Sequence, residues 1–371
     1  MHPRTDIAIF LPSLAGGGAE RIMVDLSSRF HDLGYKVDLV LCNYQGPLNC
    51  NVESGVKVVN LVKSKPRKAI FSLSKYLREK RPTVILSTLT HANIACALAW
   101  IISNSSSNLV LCEQIDVKYC LSEIYSPFDA WITRKLIRFL YPRAYKIITS
   151  SNGATSSLSE ISGIDFEQIE TIYNFTDTQR LSILSKQTVD LPWKDSAPIL
   201  LAAGRLTYQK DFLCLLDAFT ILRNKHPAHL IILGEGEEKH LLEERAKILG
   251  ISRDVWLPGF TENPYKYMAH ADMFILSSRF EGFAIVLIEA LALNLPIVST
   301  QCPSGPDEVL NGGEYGLLVS VGDSVALAEA MIKSLLGKHP IFDKKKALER
   351  FQPERIINQY LEAFGLLASN S

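Results

Sequence analysis

The sequence predicts an α/β protein built from two Rossmann-like, doubly wound parallel-sheet domains. Three observations predict this. Apolar runs of strand length alternate with helix-spaced patterns from residue 7 to 161, the same rhythm restarts at residue 199, and the stretch between is polar and poorly periodic, with Pro192 and Pro198 near its end. A chain of 371 residues, 47% of them hydrophobic, is long enough for two sizeable cores.

The elements follow in order. Strands are expected at 7–12, 37–42, 56–61, 83–88, 109–113 and 146–150, where short, continuous apolar runs suit strands buried on both faces. Helices are expected at 18–33, 70–80, 91–103, 127–141 and 151–161. The second half gives strands at 199–203, 229–233, 255–258, 273–277, 296–300 and 316–319. Its helices fall at 210–224, 237–249, 264–271, 283–293, 304–311 and 323–336. Pro353 suits the first turn of a last helix over 353–367. The expected domains are therefore 1–180, a linker over 181–197, a second domain over 198–352, and a terminal helix over 353–371 that packs back on the first domain. Two such domains with a cleft between them would bring their strand-end loops face to face, one side for a nucleotide and the other for its reaction partner.

Charge and cysteine usage narrow the class. Lys plus Arg equals Asp plus Glu at 39 each, yet residues 57–146 hold 15 basic and 5 acidic side chains. That excess suggests an anionic partner such as a membrane surface, a phosphorylated acceptor or nucleic acid, although on charge counts alone a solvated face is the better account. Nucleic acid binding has no supporting motif. The seven cysteines are scattered without C-x-x-C, which fits free thiols in a reducing cytoplasm rather than a disulfide frame or zinc site. No run approaches the roughly 18 apolar residues that mark a membrane-spanning helix. The apolar start at Ile7–Leu11 lacks a basic leader and reads as a first strand. There is no Walker loop, G-x-S-x-G or H-E-x-x-H, and no D-x-D for a metal-bound nucleotide.

The residues that can carry chemistry cluster at strand ends. Glu281 stands in a strand-to-helix turn and Glu289 about two helical turns on, in Arg279-Phe-Glu-Gly-Phe-Ala-Ile-Val-Leu-Ile-Glu289. Carboxylates there can accept hydrogen bonds from sugar hydroxyls, and helix-start N–H groups can hold phosphate; spacing alone equally fits solvated glutamates. Gly204-Arg205-Leu206 ends the first strand of the second domain, and Lys210 follows in Gln209-Lys210-Asp211. Two cations either side of a loop can bracket a diphosphate. Gly234-Glu235-Gly236 suits close contact with a base or ribose, while Glu237 and Glu238 suit a helix N-terminus. Gly16-Gly17-Gly18 follows the first strand and opens a helix, a phosphate-compatible turn that is not G-x-G-x-x-G. His91 follows a strand end in the first domain, the only histidine so placed. Trp131–Tyr141 mixes bulky apolar and basic residues at helical spacing: a membrane-interface helix, or a crossover helix with exposed cations.

Taken in order, G-G-G-A-E-R, G-R-L…Q-K-D, G-E-G, E-G-F-A-I-V-L-I-E-A-L-A and S-T-Q-C-P-S-G-P-D-E-V-L resemble the family-four retaining glycosyltransferases, over nearly the whole chain. The resemblance implies the GT-B fold and a retaining transfer of a hexosyl or N-acetylhexosaminyl group. The donor would be a nucleotide diphosphate sugar such as UDP-GalNAc or UDP-GlcNAc, and the acceptor a lipid-linked saccharide or lipopolysaccharide. It implies no metal and no further cofactor, and a cytoplasmic enzyme held peripherally on the inner face of the plasma membrane. It further implies that Arg205 and Lys210, beside Gly204, neutralise the diphosphate. Glu289 would accept from the ribose, Glu281 with Gly282 and Phe283 would meet the transferred sugar, and the N–H groups of Ile285 and Val286 would touch phosphate. Glu235 would lie by the nucleoside, Gly17 and Gly18 would approach the diphosphate, and His91 would contact the donor sugar. Ala284 replaces a common proline, Asn294 a common glycine and Gln301 a frequent aspartate, departures that bear on sugar preference. A GT-B nucleotide-sugar epimerase and a non-catalytic nucleotide-sugar-binding protein are the alternatives.

Overall fold

A computed structural model describes residues 5–15, 17–46, 48 and 52–367. The chain divides into two compact units, Met1–Asn174 with Glu354–Ser371, and Phe175–Pro353. Each carries one parallel sheet.

The first unit contains strands β1 (Ile7–Leu11), β2 (Val37–Leu41), β3 (Lys57–Asn60), β4 (Val84–Thr88), β5 (Asn108–Glu113), β6 (Lys146–Thr149) and β7 (Ile169–Thr171). Its helices are α1 (Gly18–Asp32), α2 (Pro66–Lys80), α3 (Thr90–Ser103), α4 (Val117–Glu123), α5 (Pro127–Leu140) and α6 (Asn152–Ser162). The strand order is β3-β2-β1-β4-β5-β6-β7. Order therefore reverses between β1 and β4, the switch point where open sheets of this kind bind ligands. β1, β2 and β4 are buried along their whole length, as their unbroken apolar runs require.

The second unit repeats the plan. It holds α7 (Thr178–Leu184), β8 (Ile199–Ala203), α8 (Phe212–Arg223), β9 (His229–Leu233), α9 (Lys239–Ile248), β10 (Val255–Gly259), α10 (Tyr265–Met268) and β11 (Met273–Leu276). α11 (Ile285–Ala292), β12 (Ile297–Thr300), α12 (Pro306–Val309), β13 (Leu317–Val319), α13 (Ser324–Leu335) and α14 (Lys344–Leu348) complete it. The order β10-β9-β8-β11-β12-β13 places its switch point between β8 and β11. The last helix, α15 (Pro353–Ala363), groups with the first unit. There the Tyr360 hydroxyl lies 3.7 Å from Cys112 Sγ, Asn108 Nδ2 donates to Phe364 O at 3.1 Å, and the Phe30 and Phe364 rings meet at 5.5 Å.

Three features differ from expectation. β7, α4, α7 and α14 were not expected, because segments of three to seven residues are too short for an apolar period to declare itself. The helices among them do start on an aspartate cap, Asp116, Asp177 and Asp343. The stretch 181–197 is no free linker: it lies within the second unit and is clasped to it. The Trp193 ring stacks on His229 at 4.1 Å, and its Nε1 donates to Arg253 O at 2.8 Å. Finally, α5 packs one side and exposes the other: Ile137 and Leu140 are buried, while Phe128, Trp131 and Phe139 are exposed beside Arg134 and Lys135. Among the described residues no helix is long and apolar enough to cross a membrane, and no cluster of metal ligands occurs.

Candidate functional site

In the second unit the expected residues gather at the C-terminal ends of β8 and β11, on either side of the switch point. Lys210 Nζ and Glu281 Oε1 form an ion pair at 2.5 Å, with only 16% and 7% of their side chains exposed. Ser278 Oγ donates to the same Glu281 oxygen at 2.6 Å, so the carboxylate is fixed from two directions. The two loops are laced together around this pair. Gln209 Nε2 donates to Phe280 O at 2.9 Å, Arg279 N to Gln209 O at 2.8 Å, and Ser277 Oγ to Lys210 O at 2.7 Å. Arg279 pairs with Asp211 at 3.1 Å and lies over the Tyr208 ring at 4.4 Å. Burial outweighs that arginine and raises the pKa of the Asp211 carboxyl. Arg205, by contrast, is exposed and makes no ion pair among the described residues.

The glycines at this rim answer to packing. A side chain on Gly204 would crowd the Lys210 stem, whose Cε would lie 3.0 Å away. A side chain on Gly234, which has φ +135°, would stand 1.9 Å from Gly204 O. One on Gly236 would stand 2.2 Å from Leu206 O, so packing against the neighbouring loop by itself requires glycine at both positions of the G-E-G turn. Glu235 between them is half exposed and accepts from Lys239 Nζ at 3.0 Å.

The turn into α11 is strained. Ala284 has φ 60°, ψ 63°, the left-handed region that L residues enter at a cost. Proline, whose ring fixes φ near −65°, cannot adopt it. Asn294 also has positive φ, 57°, which asparagine tolerates better than most residues and glycine best. Ile285 and Val286 are half-buried at the head of α11, whereas every later residue of the helix is buried. About one turn into the helix, Glu289 is 1% exposed, and the Tyr265 hydroxyl donates to its Oε1 at 3.0 Å.

In the first unit the expected residues also flank the switch point. Gly17 precedes α1 in an extended conformation, and Arg21 N returns to Gly17 O at 3.0 Å. Gly16 lies outside the described residues, as does Cys50. His91 is the second residue of α3, after the end of β4. Its side chain reaches the surface, yet the protein around the ring disfavours the imidazolium and lowers its pKa below the ordinary value. α1, α3 and α11, which begin at these rims, have no side-chain cap, as is also true of α2, α8, α9, α10 and α12, whereas α4, α5, α6, α7, α13 and α14 are capped by Asp or Ser. An uncapped start leaves N–H groups for an anion.

Sequence reasoning missed three supporting residues. Ser278 could have been noticed three positions before Glu281. Gln209 adjoins Lys210. Tyr265 lies 24 positions before Glu289 and carries no local signal.

Two family descriptions match the chain: "Glycosyltransferase Family 4" over residues 16–180 and "Glycosyl transferases group 1" over residues 185–355. The Campylobacter jejuni N-acetylgalactosamine-N,N'-diacetylbacillosaminyl-diphospho-undecaprenol 4-alpha-N-acetylgalactosaminyltransferase is 31% identical over 336 residues, 88% of each chain. A second C. jejuni enzyme, the GalNAc-alpha-(1->4)-GalNAc-alpha-(1->3)-diNAcBac-PP-undecaprenol alpha-1,4-N-acetyl-D-galactosaminyltransferase, is 26% identical over 96% of this chain and 97% of its own. Among solved structures, Anabaena Alr3699/HepE in complex with UDP and glucose superposes with a TM-score of 0.81 at 20% identity, over 98% of this chain and all of that one. The chain belongs to glycosyltransferase family 4 and has its GT-B fold.

Proposed function

We propose that this glycosyltransferase moves an N-acetylhexosaminyl or hexosyl group, with retention and without a metal, from a UDP-sugar to a lipid-linked saccharide. The observation that carries the reading is the nearly buried Lys210–Glu281 pair at the second switch point, set beside the uncapped start of α11. On this reading the donor diphosphate takes over Lys210 and engages the exposed Arg205. Their charge stabilises the departing UDP. The N–H groups of Ile285 and Val286 and the glycine turn at Gly17 and Gly18 hold phosphate oxygens. Glu289, oriented by Tyr265, accepts from the ribose, and Glu235 lies by the nucleoside. Glu281, released from Lys210, accepts from a hydroxyl of the sugar, with Gly282 and Phe283 alongside. His91, kept neutral by its surroundings, contacts the donor sugar without adding a cation near the anomeric carbon. The acceptor attacks on the face the UDP leaves, and the leaving phosphate takes its proton. The C. jejuni relatives, whose names give an undecaprenol-diphosphate-linked acceptor, support the acceptor class, and HepE with UDP supports the nucleotide.

The exposed Phe128, Trp131 and Phe139 with Arg134 and Lys135 on α5, within the basic stretch 57–146, support peripheral contact with an anionic membrane at the cytoplasmic face. Flotation with anionic vesicles should weaken as salt rises; binding indifferent to lipid charge and salt removes this part.

A thermal-shift panel of nucleotide sugars, followed by transfer to a diphospho-undecaprenol-linked saccharide, tests the enzyme reading. A UDP-N-acetylhexosamine should stabilise the fold and lose its sugar to the acceptor. Isomerised sugar without transfer would identify an epimerase, and binding without turnover a non-catalytic protein.

A further inference from the structure

We propose that Glu113 is a positioning residue for the transfer chemistry: it clamps the first turn of α3 to the end of β5 and thereby fixes where His91 stands. The inference rests on the reading of His91 as a donor-sugar contact. Glu113 is the last residue of β5 and fully buried. Thr90 Oγ1 donates to its Oε2 at 2.9 Å, Asn93 Nδ2 to its Oε1 at 3.1 Å, and the Tyr141 hydroxyl to the same Oε1. Asn93 Nδ2 also reaches Cys112 O at 2.8 Å, and Thr88 Oγ1 reaches it at 3.3 Å. Thr90 and Asn93 bracket His91, so the chain is pinned on both sides of the imidazole.

The turn has reason to be pinned. Leu89, the residue before α3, has φ 75° and ψ 133°, a backbone that a branched L side chain avoids. Such a conformation persists only where surrounding contacts over-determine it. Ala92 N and Asn93 N bond to Leu89 O at 2.9 and 2.8 Å, but these close the turn locally. Glu113, beside the Asn93 bond to Cys112 O, ties it to the sheet, and among the described residues it alone grips the side chains on both sides of His91.

A carboxyl is a costly choice for a mere tie. Burial pushes the Glu113 carboxyl up to about 7, against the three donors. Among the described residues, the groups facing it offer no cation. Tyr141 beyond α5, Cys112 on β5, Cys120 on α4 and Tyr125 after it all have raised pKa values, and Asp116 at the head of α4 is acidic. A packed apolar residue would stabilise the spot at less cost, whereas a carboxyl can grip two side chains of one helical turn in a set direction.

The test uses the full chain as wild type, Glu113→Gln, Thr90→Val, His91→Ala and the two doubles with His91→Ala. UDP release from UDP-GalNAc and UDP-GlcNAc in the presence of a diphospho-undecaprenol-linked saccharide gives kcat and donor KM. Glu113→Gln and Thr90→Val should each lower kcat about tenfold or more, as a misplaced contact does, with donor KM nearly unchanged. On the His91→Ala background the same substitutions should cost less than about twofold, because the group they position is gone. NMR titration of His91, which needs no substrate, should show its pKa rising toward the ordinary value in both single variants. Thr90→Val keeps the test open should Glu113→Gln fail to fold. A His91 pKa that stays put in a folded Glu113→Gln or Thr90→Val variant overturns the clamp, as does an equal fold-loss on both backgrounds. Full kcat in His91→Ala overturns the reading of His91 itself, and the clamp with it.

Discussion

The two switch points solve the same problem with opposite electrostatics. At the second, between β8 and β11, a lysine and a glutamate meet at 2.5 Å and leave each other partly reachable from solvent. Beside the first, at the end of β5, the carboxyl of Glu113 is sealed among neutral donors, with no cation on it among the described residues. The difference is one of exchangeability. A charge pair can be opened by a ligand that brings its own anion: on the proposed reading a phosphate would replace the carboxylate on Lys210 at little electrostatic cost. A sealed carboxyl with three hydrogen bonds has nothing to exchange with; it can only hold. The second unit thus presents a pair that a ligand could open, and the first presents a pinned turn.

Lys210→Ala breaks this comparison most severely. Turnover should fall by about a hundredfold to a thousandfold, the usual loss for one group stabilising developing charge. The variant should also be less stable, by about 3 kcal/mol, because Glu281 is left nearly buried without its cation. Adding Glu281→Gln should restore much of the stability and none of the turnover. Urea denaturation and UDP release measure the two effects separately, and a Lys210→Ala enzyme at full rate would end the assignment.

Glu113 yields the next effect, and its sign follows from linkage. The folded carboxyl titrates near 7 and the free one at 4.5, so the native state holds the proton more tightly than the unfolded chain. The stabilisation is fully present below about 4.5 and is lost as pH rises through about 7. Relative to Glu113→Gln, wild-type stability should therefore decline by on the order of 3 kcal/mol between pH 4.5 and pH 8. A difference that stays flat across that range would show that the carboxyl is ionised throughout and the contrast between the two rims is false.

The contrast also explains what could be read in the sequence. Glu281 sits in a turn beside Gly282 and Lys210 in the loop that follows Gly204, where charged residues interrupt an apolar rhythm, and Glu289 stood out by its spacing from Glu281 along the helix. Glu113 closes the run Asn-Leu-Val-Leu-Cys-Glu and looks like an ordinary polar residue at a strand end. Its partners Thr90, Asn93 and Tyr141 lie 23, 20 and 28 positions away, so only the fold assembles them. The alternation of strands and helices was legible because the central strands of both sheets are buried on both faces and leave unbroken apolar runs. The clasp over 181–197 was not, because Trp193 finds its partner His229 through the fold, in a stretch with no period.

A smaller effect sharpens the ribose side of the second rim. Tyr265→Phe removes the hydroxyl that holds Glu289 Oε1 at 3.0 Å. One hydrogen bond to a charged group is worth about 1.5 kcal/mol or somewhat more, so UDP affinity should fall roughly tenfold by calorimetry if that bond orients the carboxylate for the nucleotide. Glu289→Ala should weaken it further, and unchanged affinity in both would remove the ribose role.

The smallest change tests whether the second rim, like the first, stores strain. Leu89 at the first and Ala284 at the second both hold positive φ where a helix begins without a cap, but only Ala284 is small enough for the alternative to be clean. Ala284→Gly removes the left-handed penalty of about 1 kcal/mol, part of which is offset by the greater freedom glycine gives the unfolded chain. The melting temperature should rise by about 1–2 °C, with kcat within twofold of wild type, because no charge or hydrogen bond of the rim is touched. Ala284→Pro should do the reverse, since φ 60° is closed to it, and a proline variant as stable as wild type would mean that this turn takes another path into α11.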